Sequence, residues 1–425
     1  MPHKFCSAIL ITVAIALIGC GKSKPATETD KTADNVAAGI KSKLAAITAA
    51  SEPVTPAELD KWYVEPPASE NAAEIYAQAF AALTADDPKS ATYVAKNQKA
   101  VALLLQAAER KACRYPVNFS EGFATKLPHL ANIKNCAILL QGEAVAQANR
   151  GHAKEAAEAL LAGVSLAHSL DNEPTLISRL VEFACLNITI QGLEQTFARG
   201  IFAEEQLLSL QQAFGETESA TAIRRPLVGE RSMVIAAFHG SPEGMTKNLE
   251  QSGAGQTGAR MDDYWKSPAL QQDFDFALDY FANFLANADK PFPQSLDTGD
   301  GPKIETAKEK KFILSSMLLP ALSQVSVKAA EAAARIRIAQ AALAVERYRL
   351  QHANALPGAL SELSPTFLEA VPTDPFDGQP LRYQKLPTRG YVIYSIGKDR
   401  KDDQGAAKAA DGQGSAPDIT FTVQR

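Results

Sequence analysis

Apolar residues recur along most of this chain at spacings of three and four. Between Ser69 and Leu83, the residues Ala72, Ile75, Tyr76, Ala79, Phe80 and Leu83 fall on one face of a helix. The same spacing predicts helices over Tyr93–Arg110, Leu127–Asn149, Ala153–Leu170 and Thr175–Arg199. These segments are built of Ala, Leu, Glu, Gln and Lys, all good helix formers. Their ends carry stop signals: Gly151 after Arg150, Asp171-Asn172-Glu173-Pro174, and Gly200.

The pattern changes twice more. Residues 240–268 are rich in Gly, Ser and Gln and read as a loop. Phe274, Phe276, Tyr280, Phe281 and Phe284 then crowd one helix, which their spacing packs against the bundle. Residues 290–319 read as a linker and connecting segment, and Pro320 to Gln351 as one long helix. Past Leu356-Pro357 the texture turns to short strands. Asp374-Pro-Phe-Asp-Gly378 is a turn sequence, Leu381–Tyr383 and Tyr391–Ile396 pair around it, and Ile419–Val423 alternates with period two. The predicted fold is mainly α: a helical array or bundle over 36–289, then a long helix and a small antiparallel β module over 320–425.

The N-terminus has its own logic. His3 and Lys4 precede an apolar run from Phe5 to Ile18, and Gly19, Cys20 and Gly21 follow it. Fourteen residues fall short of the roughly 20 that span a bilayer as a helix, so the run reads as an export signal. Leu17-Ile-Gly-Cys20 resembles the lipobox of bacterial lipoproteins. That resemblance implies a signal peptide over 1–19, diacylation of Cys20 and a mature chain beginning there. Two or more acyl chains anchor stably where one does not. Gly21, in place of Asp, implies the outer membrane by analogy with Gram-negative sorting. Residues 20–35 read as a polar tether. No later apolar run reaches spanning length: Phe312–Leu319 is short and meets Pro320.

Composition narrows the partners. A net charge of −5 argues against a general basic field for nucleic acid. Cys113, Cys136 and Cys185 remain after Cys6 and Cys20 are set aside. In an exported chain a Cys113–Cys136 bridge is open, though buried core thiols are the preferred reading.

Two further resemblances bear on architecture. Gln141–Leu161, a helix, a turn at Gly151 and a second helix, is similar to one tetratricopeptide-like hairpin, without a 34-residue repeat elsewhere. Ala344–Leu350, Ala355-Leu-Pro357, Leu360-Ser-Glu-Leu363, Val371–Tyr383 and Gly390–Asp399 occur in the order seen in the C-terminal half of the major pseudopilin of type II secretion. The resemblance covers about the last quarter of the chain. It implies a long helix, a small antiparallel sheet and a late calcium-binding loop, with Asp399 at the first acidic ligand position. Asp403 and Asp418 are the other carboxylates singled out for calcium, alongside Asp402 and Asp411; Lys398, Lys401 and Lys408 weaken the site. No prepilin peptidase site precedes the module, so the chain is not expected to polymerise as a pilin.

No GxSxG, HExxH, P-loop or GxGxxG occurs. His152 and His168 lie too far apart on one helix to share a ligand. Asp262-Asp263 and Glu204-Glu205 diverge as neighbours on a helix. Trp62–Pro67 reads as a lid over the first hairpin. The expectation is a non-enzymatic interaction or scaffold protein, held to the membrane through Cys20, with an envelope protein partner and no cofactor beyond a candidate calcium. The alternatives are an accessory component of a type II secretion or pilus-like system, and an envelope enzyme.

Overall fold

A computed structural model describes residues 28–84, 86–88, 90, 92–217, 223–241, 258–297, 300–387, 389–406 and 418–425. The signal segment, Cys20, Asp411 and most of the 240–268 loop lie outside the described residues. Mainly α architecture with a small C-terminal sheet is as the periodicity predicts.

The first layer is α2 (Pro56–Trp62), α3 (Ala73–Ala82), α4 (Tyr93–Lys96), α5 (Gln98–Ala108), α6 (His129–Asn149), α7 (Ala153–His168) and α8 (Leu176–Phe197), with α1 (Glu28–Ala49) before them. The 20–35 tether therefore ends early, because the helix begins at Glu28. The predicted Tyr93–Arg110 helix is broken at Asn97. Its buried side chain donates to Tyr93 O at 2.9 Å and accepts from Thr84 N at 2.8 Å, competing with the helical ladder. Gly151 closes the α6–α7 turn with φ +80°, a left-handed conformation that favours glycine.

After α8 come α9 (Glu204–Glu216), α10 (Arg224–His239), α11 (Gly258–Trp265), α12 (Pro268–Ala288), α13 (Asp300–Glu309), α14 (Ile313–Ser323) and α15 (Val325–Gln351). Two expectations change here. Residues 258–265 are helical rather than loop, and the 290–319 segment holds α13 and the start of α14. Pro320 lies inside α14, so the long helix starts at Val325, not at Pro320. The aromatic helix packs inward as predicted: Phe274, Tyr280, Phe281 and Phe284 of α12 are buried. α10 crosses so close to the α7–α8 turn that a Cβ on Gly229 would sit 1.8 Å from Pro174 O.

Two apolar cores result. One joins α2–α9, the middle of α15 and the C-terminal sheet; the other joins α1, α10–α12, α14 and the first turns of α15. The sheet is antiparallel in the order β1 (Arg382–Lys385), β2 (Tyr391–Ser395), β3 (Ile419–Val423), with Tyr383 opposite Ile393 and Ile393 opposite Phe421. β3 points Ile419, Phe421 and Val423 inward, and Phe421 meets Phe197 of α8 edge-to-face at 5.7 Å.

Two helical stretches, Leu176–Phe197 and Ile313–Gln351, are long and apolar enough to cross a membrane by length and composition, which corrects the expectation that none would be. Both supply buried residues to the cores, so their apolar faces have partners within the protein. Cys113, Cys136 and Cys185 are buried free thiols, and burial pushes the pKa of each up to about 12.

Candidate functional site

The acidic loop leaves β2 through Ser395-Ile-Gly397 and returns to β3 at Asp418. It is shaped by short side-chain turns: Lys401 N donates to Asp399 Oδ1 at 3.2 Å and Gln404 N to Asp402 Oδ1 at 2.8 Å. Asp418 is buried, and its Oδ2 accepts from Gly405 N at 2.8 Å. Its Oδ1 has no hydrogen-bond partner. Burial raises the Asp418 pKa, against the Gly405 and Asp403 backbone donors, and the negative charges of Asp402 and Asp403 raise it further. Asp399 is half-buried and Asp403 exposed. Asp399, Asp403 and Asp418 do not form a set of three ligand atoms within 4.8 Å of one another.

Beside the loop a polar cleft of about 330 Å³ opens between α8, α15 and the start of β3. Arg335 crosses it to Asn187 Oδ1 at 2.7 Å. Glu194 of α8 accepts from Thr422 N at 2.6 Å, so the outer edge of β3 is engaged at that position by a carboxylate from the helical body.

The module is fastened by carboxylates that sequence reading took only as turn or helix residues. Asp374, fully buried, accepts from Phe376 N at 3.0 Å, Ser395 Oγ at 2.8 Å, Ile396 N at 2.9 Å and Arg382 Nη1 at 2.6 Å. Glu346 of α15 accepts from Tyr391 OH at 3.0 Å, Arg349 Nε at 2.9 Å and the C-terminal Arg425 at 2.5 Å. A signal existed for the first: Asp374-Pro-Phe-Asp-Gly followed at 382 by an arginine in a β run.

Compared with known proteins, the chain matches no family model, no curated protein and no solved structure.

One grouping among the described residues does bring three metal-type ligands together: His168, Asp171 and Glu182. Sequence reading considered His168 only against His152, and the missed signal was Arg179-x-x-Glu182 inside an apolar helix, facing the α7–α8 turn. Arg179 already sits in the cluster, 2.6 Å from Glu182 Oε2 and 3.4 Å from Asp171 Oδ1. His168 Nδ1 lies 2.7 Å from Asp171 Oδ2. Burial holds Glu182 well above the usual carboxylate range despite Arg179. Burial works to raise Asp171 too, but the His168 hydrogen bond and the His168 and Arg179 charges keep it low. A cation there would have to displace the guanidinium, so the arrangement serves as an ion-pair knot.

A second buried knot centres on Glu173. His129 Nε2 approaches Glu173 Oε2 at 2.9 Å, Ser178 Oγ donates to Oε1 at 2.5 Å, and Tyr63 OH reaches Oε2 at 3.4 Å. Serine and histidine both bond to the carboxylate rather than to each other. The nucleophile–base hydrogen bond that acyl transfer uses is not made. Tyr63, from the Trp62–Pro67 segment, thus lies in the core, while Trp62 stacks on Arg225 at 4.0 Å.

Proposed function

We propose that this protein is a lipid-anchored cell-envelope protein with a non-enzymatic interaction or scaffold role, in which the pseudopilin-like module is a fixed cap rather than a polymerising unit. The observation that carries this reading is how the module is attached. In a pilin-type filament the long helix must be available to neighbouring subunits. Here α15 is sheathed by α8, α9 and β3, Glu194 engages the edge strand, and Arg425 ties the C-terminus to Glu346. The anchor rests on Leu17–Cys20.

Labelling with palmitate and mass spectrometry of the N-terminus test the anchor. The wild-type chain should take label and begin at Cys20; Cys20→Ala should take none and keep residues 1–19. Equal labelling of both, or a mature N-terminus elsewhere, would overturn it. A pull-down of the lipidated protein from detergent-solubilised envelopes tests the role, and secretion or pilus components in the eluate would favour the accessory reading instead.

A second reading, calcium at the acidic loop, is favoured by one observation: the orphaned, buried Oδ1 of Asp418, a carboxyl that feels the Asp402 and Asp403 charges. Asp399 and Asp403 are the further carboxylates it would draw in. Calorimetric titration with calcium should give one site that Asp418→Asn abolishes; heat-free titration of the wild type would sink it.

A further inference from the structure

Where the two cores meet, a cavity of about 500 Å³ remains, within the range of small-molecule sites. Its floor is the first half of α15, where Ser326, Ala329, Ala332, Ala333 and Ile336 share one face. Alanine there leaves space that a leucine would fill. Phe183 of α8 and Phe292 add aromatic wall. The charged groups among the lining residues are of one sign. Lys290 and Arg337 line the cavity, and among its described lining residues there is no carboxylate. Arg337 is positioned by Thr373 O at 2.7 Å, and Lys290 rests on Asn287 Oδ1 at 2.6 Å. Ser295 and Ser326 in the wall are 95% or more buried, and neither hydroxyl has a hydrogen-bond partner. A buried hydroxyl without an acceptor is costly, and native proteins rarely leave two in the wall of one cavity.

We propose that this cavity binds an amphiphilic anion, its hydrocarbon tail along the alanine floor and its carboxylate or phosphate head toward Lys290 and Arg337. The head brings acceptors to the polar end of the cavity, where Ser295 follows Lys290 in the chain, and the tail covers the apolar floor. An amphiphilic cation would meet like charge. The proposal is independent of the lipid anchor, since every lining residue lies beyond position 180.

The test is calorimetry, below micelle-forming concentrations and without detergent, on the chain from Gly21 to Arg425, which holds every described residue. Dodecanoate should bind one per chain, and each methylene from octanoate to dodecanoate should tighten binding about fourfold. Dodecyltrimethylammonium should bind at least about tenfold more weakly. Comparing dodecanoate with dodecyl phosphate identifies the preferred head; saturable binding of either supports the site. Lys290→Glu, at an exposed position, should weaken binding about fivefold, and Ala333→Leu should abolish it. Circular dichroism checks the fold of each variant. Absence of saturable binding by both anions, equal binding of anion and cation, or unchanged affinity in Lys290→Glu would overturn the proposal whether or not Ala333→Leu folds.

Discussion

At the scale of single residues, the chemistry that holds this protein together lies in buried carboxylates. Asp374 is fully buried and has four donors. Removing it takes one of the two carboxylate partners of Arg382, Asp377 being the other, and leaves Phe376 N, Ser395 Oγ and Ile396 N without this acceptor. Asp374→Ala should therefore cost roughly 3–5 kcal/mol in urea unfolding, with Asp374→Asn less severe. Asp418 is the opposite case. Its folded pKa is raised by burial and by Asp402 and Asp403. The stability it contributes is complete below the ordinary carboxylate pKa and is lost as pH rises through the folded value. Asp418→Asn should therefore be more stable than the wild type at neutral pH, in calcium-free buffer, with the gap closing near pH 4; unfolding at the two pH values measures it. The turn at Asp374–Gly378 was readable from its residue types. Of the clamp only the Arg382 arm was, because Ser395 and Ile396 reach Asp374 only after β2 has folded back.

At the scale of elements, periodicity located most helices because each has an apolar stripe that must face something. Ends were less legible where a side chain intervenes, as Asn97 does in splitting α4 from α5. α15 is the element whose neighbours matter most. Ala330, Ala334, Ala339, Ala341 and Ala342 are buried around several sides of it, so small side chains set how near α8, α9 and the sheet can come. Ala342 is fully buried. Ala342→Leu should overpack that contact and cost about 1–3 kcal/mol, read by chemical denaturation. An unchanged midpoint would mean that the helix has room to shift. Farther up the same helix, Ala329, Ala332 and Ala333 border open volume instead. One alanine-rich sequence thus makes both a tight seam and a cavity floor.

At the scale of the whole molecule, α15 belongs to both cores and the sheet belongs to the first of them. The division into a helical domain and a separate C-terminal module is therefore a division of the sequence rather than of the packing. Deleting residues 352–425 should expose Phe197 and Leu343 and leave Glu346 without its Tyr391 and Arg425 partners. The shortened chain should aggregate or melt well below the full chain in scanning calorimetry and size-exclusion chromatography; an unchanged melting temperature would make the module a true appendage.

The sequence by itself determined that the chain is mainly helical, that strands come last and that the aromatic helix faces inward. These are local properties: side-chain spacing and turn chemistry. The tertiary structure alone decided that Arg179 pairs with Asp171 and Glu182 beside His168, that Glu194 reaches β3, that Cys113, Cys136 and Cys185 stay unpaired and that a cavity whose charged lining residues are both cations lies between two cores. Apart from the Arg179 cluster, which gathers across the α7–α8 turn, each of those depends on residues far apart in the chain, and no local pattern records which helix faces will meet.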